Sequence, residues 1–180
     1  MKDICMIKLK DILLESTAPD IFIPRRVEDR FERLIKNYVR NGSKGDLNLS
    51  GMNLTKLPYM LKDVNVDGDF WCANNKLTSL EGVPSSVGKS FFCANNQLIS
   101  LKGAPTYVVG DFACGVNKLI SLECAPKNIG GTFSCIHNMI TSLQGAPESV
   151  GKDFYFYKNT GKFTEKDIRA VCDVKGRVYV

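Results

Sequence analysis

The amino-acid sequence predicts an α/β solenoid: one column of short stacked repeats with a parallel sheet on its concave face, an N-terminal helical cap and a C-terminal helix-strand cap. Two observations lead there. Residues of the same type return every 21 positions through the middle of the chain, and the segments on either side of that stretch carry helix signals. A fixed period of this length is the signature of stacked units that bury a shared core.

The period is carried by several columns at once. Phe70, Phe91, Phe112, Phe133 and Phe154 lead each unit, with Cys72, Cys93, Cys114 and Cys135 two residues behind. Asparagine follows at 75, 96, 117, 138 and 159, then Leu77, Leu98, Leu119 and Ile140. Ser79, Ser100, Ser121 and Ser142 each precede a leucine, Pro84, Pro105, Pro126 and Pro147 close the units, and Val87, Val108, Ile129 and Val150 come last. An earlier, degenerate unit stands in LNLSGMNLTKLP, where Leu47, Leu49, Leu54 and Leu57 match the spacing of Phe70, Cys72, Leu77 and Leu80.

Side chains alternate along a strand, so Phe91 and Cys93 are expected inside and Ser90, Phe92 and Ala94 outside. The asparagines are expected to serve backbone groups at the turn that no strand ladder reaches. The Gly-Pro segments are read as a compact return on the convex side, too short for a helix. Seven cysteines in a secreted chain would indicate disulfides, but four of them are one column of the repeat and read as small apolar core residues.

The unit FFCANNQLISLKGAPTYVVGD resembles the leucine-rich-like repeats of proteins from tailed bacteriophages, with their "LTSLEGAP" core. More distantly it is similar to the short repeats of bacterial type III effectors. The resemblance covers residues 46–159, and the tail FTEKDIRAVCDVKGRVYV resembles the usual ending of the phage proteins. It implies a leucine-rich-repeat-like fold and a phage origin, and it implies little about activity. The effector ligases carry a separate catalytic domain, for which the residues after the repeats leave no room, so that activity is not carried over.

Three segments follow: residues 1–45 as N-terminal cap, 46–159 as repeats and 160–180 as C-terminal cap. In the first, Val27, Phe31, Leu34, Ile35, Tyr38 and Val39 share one helical face, with Pro24 near the start and Gly42 just past the end. Ile7, Leu9, Ile12, Leu13 and Leu14 point to a further short helix. In the last, Thr164 and Asp167 resemble a capping box, and Phe163 with Ile168 has hydrophobic-staple spacing. A helix is expected over 164–173 and a strand through Val178, Tyr179 and Val180.

Charge narrows the function. The three segments carry +3, 0 and +2, so the repeats are balanced and offer no basic stripe for nucleic acid. Arg25, Arg26, Arg30 and Arg33 are interleaved with Glu28, Asp29 and Glu32 and read as a solvated helix face. His137 is the single histidine, no HExxH or CxxC occurs, and Gly82–Ser90 misses the phosphate-loop spacing by one residue. No catalytic residue, metal ligand or cofactor is assigned. With no apolar run of bilayer length and no signal-peptide pattern, a cytoplasmic location without a membrane partner is expected.

The expected site is the concave face, where outward residues differ from unit to unit while the core columns hold. Its candidates are Asp69, Asp111 and Asp153 in one column, Trp71, Phe92 and Tyr155 in the next, then Ile136 and Tyr157, and His137 beyond. Trp and Tyr dominate binding energy in many interfaces, which points to a protein partner, by the resemblance a host protein. A virion assembly role and nucleic-acid binding through the arginine helix are the alternatives. Folding of the terminal helices over the aromatics would remove the site.

Overall fold

The computed structural model describes residues 25–84 and 86–180. Over the repeats it is a parallel β-solenoid of about six turns in which each coil contributes two short strands, one to each of two faces.

The first face is seven-stranded. It runs β1 (Leu47–Asn48), β3 (Phe70–Trp71), β5 (Phe91–Phe92), β7 (Phe112–Ala113), β9 (Phe133–Ser134), β11 (Phe154–Tyr155) and β13 (Val178–Tyr179), neighbours parallel and in register. The degenerate unit supplies β1, with Leu47 paired to Phe70. The second face consists of β2 (Asn65–Val66) with β4 (Ser86–Val87), and β6 (Tyr107–Val108), β8 (Asn128–Ile129), β10 (Ser149–Val150) and β12 (Asp173–Val174).

This second face departs from the sequence expectation. The return segment is not irregular: Val66, Val87, Val108, Ile129, Val150 and Val174 form a column of buried strand residues. The repeats are therefore β on both faces, α-helix is confined to the ends among the described residues, and a single 3-10 helix, Tyr59–Asp63, stands in the return of the opening coil. A steric rule governs the step after each of these strands. A Cβ at Gly88, Gly130 or Gly151 would collide with a carbonyl oxygen of the preceding coil, that of Asp67, Val109 or Gly130. Val109 occupies this glycine column in the coil between, and there the second face divides into its two sheets.

The core follows the predicted columns. Phe70, Phe91, Phe112, Phe133 and Phe154 are fully buried and stacked coil on coil, ring centroids 4.7 to 5.8 Å apart. Each buried phenyl contributes on the order of 2 to 3 kcal/mol. Cys72, Cys93, Cys114 and Cys135 are free thiols with no exposed surface. In the last coil Phe156 takes the cysteine place and packs edge-on against Phe163 of the cap.

Helix α1 (Arg25–Arg40) buries Phe31, Ile35 and Tyr38 and leaves Leu34 partly covered, whereas Val39, expected on that face, is 43% exposed. The Tyr38 hydroxyl donates to the carbonyls of Ser43 and Gly45, tying helix to first coil. The short helix proposed around Ile7 to Leu14 lies outside the described residues. Helix α2 (Glu165–Val171) is shorter at both ends than the expected 164–173 and begins in the predicted capping box: the Thr164 hydroxyl accepts from the Asp167 N–H and the Asp167 carboxylate accepts from the Thr164 N–H. Ile168 is buried, Phe163 partly so, and β12 and β13 complete the last coil.

Candidate functional site

Both ends of the strands β3, β5, β7 and β9 are held by side-chain ladders. At the far end stand the asparagines. Asn96 Oδ1 accepts from the Leu77 N–H of the preceding coil at 3.0 Å, while its Nδ2 donates to the carbonyls of Cys72 and Cys93. Asn117 and Asn138 repeat this pattern one and two coils later. These amides satisfy backbone groups that the sharp turn leaves without partners, which is why a buried polar column is tolerated.

At the near end stands a second ladder that the sequence reading took for a binding column. Asp46 accepts from the Asp69 N–H, Asp69 from Ser90, the Ser90 hydroxyl from Asp111, and Asp111 from Thr132, at 2.7 to 3.1 Å. Asp153 accepts from the Arg177 N–H at 2.8 Å. One oxygen each of Asp69, Asp111 and Asp153 is thus committed to the next coil, and the second oxygen of Asp153 accepts from the Tyr155 hydroxyl at 3.4 Å. Chemical variety concealed the rule, because Asp and Ser share nothing except an acceptor oxygen of the right reach.

Between the ladders lies the outward aromatic column. Trp71 and Phe92 stand opposite each other in register and stack, centroids 3.9 Å apart and planes 23° apart. Ala113 and Ser134 follow as small residues. Tyr155 then stacks on Tyr179 at 4.5 Å with planes 1° apart, and Tyr157 stands edge-on to it. Tyr179 was missed because β13 lies outside the 21-residue period; the VYV of the tail, aligned on FYF of 154–156, is the signal that finds it. Desolvation, reinforced by the neighbouring Tyr179 and Asp153, raises the Tyr155 phenol above its ordinary value, so it stays a neutral donor.

All four stacked rings are half-exposed. Helix α1 is engaged with the opening coil through Phe31, Ile35 and Tyr38, and α2 contacts β12 and β13. The next candidates fall differently. Ile136 is half-buried beside the small Ala73, Ala94 and Gly115 of its column, and Tyr157 is exposed at the end of it. His137 is not on the sheet: with φ +52° it sits in the turn, in the same left-handed column as Asn74, Asn95, Val116 and Lys158. Trp71, Phe92, Tyr155 and Tyr157 therefore lie along one face, and His137 faces an adjoining edge.

The thiols are poor nucleophiles. Burial pushes Cys72, Cys93, Cys114 and Cys135 far above the ordinary thiol range, and Cys172 to about 11. Cys124 differs: it is exposed and stands, at φ +64°, in the column otherwise filled by Gly82, Gly103 and Gly145. Among the described residues no three His, Cys, Asp or Glu side chains converge as a metal site would need. Among the same residues no helix is long and apolar enough to cross a membrane. Neither a protein-family model nor a curated protein matches the chain.

Proposed function

We propose that this chain is a non-enzymatic binding module that holds a protein partner on its seven-stranded face, the partner being a host protein engaged or inhibited by a phage product. The observation that carries the reading is the pair of half-exposed aromatic stacks, Trp71 on Phe92 and Tyr155 on Tyr179, at the two ends of one straight column. Exposed large aromatics supply most of the energy in many interfaces, and stacking holds these rings in one orientation before a partner arrives. From Trp71 to Tyr179 the column crosses five strand spacings, about 24 Å at ~4.8 Å each, the reach of a standard interface of roughly 800 Å² per partner. The phage and host parts of the proposal rest on the resemblance of the repeat unit alone.

The test is affinity capture from host lysate with the intact chain as bait. Trp71→Ala with Phe92→Ala is expected to weaken capture by at least about 2 kcal/mol, roughly thirtyfold, with circular dichroism and melting temperature near wild type. Changes at Glu81, Lys102 and Glu123, which pair with one another or with Gln144 on the opposite side, are expected to do little. Unfolding of the aromatic double variant, or loss of capture through the Glu81, Lys102 and Glu123 changes alone, would sink the reading.

A further inference from the structure

The balanced charge of the repeats conceals a segregation. From Cys72 to Leu80, Cys93 to Leu101, Cys114 to Leu122 and Cys135 to Leu143 there is no aspartate or glutamate, nor is there one in 156–163 or 49–57. These stretches form one long edge of the solenoid, the turn between the two faces. The acids of the repeats lie elsewhere: Asp46, Asp69, Asp111 and Asp153 in the ladder at the near end of the strands, Glu81, Glu123 and Glu148 beyond the turn, and Asp63 and Asp67 on the return of the opening coil, where Asp67 accepts from the Gly45 N–H.

The geometry of this edge is fixed by alternation. Asn75 and Leu77 point inward and are buried, so Asn74, Lys76 and Thr78 point outward, and the same holds in the following coils. Backbone bonds from Gln97 to Leu77, Lys118 to Leu98, and Met139 to Leu119 stack those outward positions into columns. Lys76, Lys118 and Lys158 stand in them, with Lys56 and Lys162 at the two ends, all exposed. Among the described residues none of these five lysines pairs with a carboxylate, whereas Lys102, Lys127 and Lys175 each do. Between the lysines Ile99 is 65% exposed, Ile120 in the adjacent coil 61% and Met139 46%.

We propose that this edge is a docking surface for an anionic lipid bilayer. Unpaired lysines in an acid-free field attract a negative surface, and exposed aliphatic side chains among them can enter the acyl boundary. The side-chain chemistry of the edge disfavours nucleic acid as the partner. The edge has no arginine, its exposed aromatics are confined to one end, where His137 stands edge-on to Tyr157, and two exposed isoleucines serve no purpose against phosphate. The sequence expectation of no membrane partner rested on the absence of a spanning run, which does not bear on docking at the surface.

Co-sedimentation of the full chain with vesicles tests this, using phosphatidylcholine alone and phosphatidylcholine with one third phosphatidylglycerol. Binding is expected to the second only, weakening as salt rises. Lys76→Gln with Lys118→Gln is expected to lower the partition coefficient about 25-fold, about fivefold per lysine, from a contribution near 1 kcal/mol each. Ile99→Ser with Ile120→Ser is expected to lower it at least about fivefold, while Lys102→Gln with Lys127→Gln changes it less than about twofold. Trp71→Ala with Phe92→Ala is expected to bind vesicles as wild type does, which separates this surface from the protein-binding face. The proposal is overturned by absence of binding to phosphatidylglycerol vesicles at low salt, or by equal losses from the two lysine pairs. Tighter binding to duplex DNA or RNA that depends on Lys76 and Lys118 and not on the isoleucines would also overturn it, and would make the edge a polyanion site.

Discussion

Replacing Val116 by asparagine is expected to stabilise the protein. In the turn after each strand one residue adopts a left-handed conformation: Asn74 at φ +56°, Asn95 at +54°, Val116 at +55°, His137 at +52° and Lys158 at +60°. Asparagine reaches this region at little cost, but a β-branched residue there is an outlier, because its Cβ substituents crowd the following carbonyl. The left-handed state costs a typical residue about 1 to 2 kcal/mol, and asparagine recovers most of that. A second gain comes from the neighbours. Asn95 Nδ2 donates to Asn74 Oδ1 at 2.7 Å, and an asparagine at 116 would extend this outer ladder by one rung onto Asn95, worth about 0.5 kcal/mol at an exposed site. Nothing offsets these gains, since the valine is 46% exposed and fills no core position.

The sum is about 1.5 to 2.5 kcal/mol, and for a chain of this size 1 kcal/mol moves the melting temperature by about 2 to 4 °C. A rise of about 3 to 10 °C in the thermal melt is expected, matched by a higher urea midpoint at unchanged slope. Val116→Gly separates the two parts: it relieves the backbone, adds no rung and gives flexibility to the unfolded chain, so it should gain less than asparagine. If Val116→Asn leaves the midpoint unchanged or lowers it, the strain assigned to this column is wrong.

Further outcomes follow from the same ladders and columns. Asn96→Ala should cost about 3 to 5 kcal/mol by urea denaturation, because it orphans the buried Leu77 N–H and the carbonyls served by Nδ2, whereas Asn95→Ala next to it should cost about 1. In native protein a thiol reagent should label Cys124 and leave Cys72, Cys93, Cys114 and Cys135 untouched until denaturant is added; rapid native labelling of the four would overturn their place in the core. Because burial raises the folded-state pKa of those four, their contribution is complete below the unfolded thiol value near 9 and is lost as pH rises above it, so stability should fall steadily from about pH 9 upward. Cys114→Ser should cost about 1 to 3 kcal/mol, since the hydroxyl finds no ladder partner among the phenyl rings and thiols around it.

The core, the asparagine ladder and the C-terminal capping box were legible in the sequence, because each depends on one residue type recurring at one position. A phenylalanine every 21 residues specifies a strand site whatever lies between. The second face was not legible for a physical reason: its strands are two residues long with a single inward valine or isoleucine, so no alternation exists to be counted, and the flanking Gly-Pro reads as turn. The acidic column was misjudged for a related one. A surface aspartate that varies to serine looks like a recognition residue until its backbone partner in the next coil is located. His137 was assigned to the sheet by extending the strand one step too far, into a turn whose left-handed column opens with Asn74 and Asn95, a residue type that tolerates that conformation.

The two ladders also explain how strands of two residues can present a binding face. A pair this short gains little from its own backbone bonds, and an isolated one would not persist. Here β3, β5, β7 and β9 are each clamped before the first residue by an aspartate or serine of the preceding coil and beyond the turn by an asparagine that reaches two coils, while the phenylalanine between is buried. The strand and the turn after it are then fixed by residues that point inward or along the stack. The outward position in the middle contributes nothing to that scheme, so Trp71, Phe92, Ala113, Ser134 and Tyr155 can differ freely from coil to coil without disturbing the fold. A ring placed there loses little further freedom on meeting a partner, since its backbone is held already and its neighbour stacks against it, which lowers the entropic cost of binding.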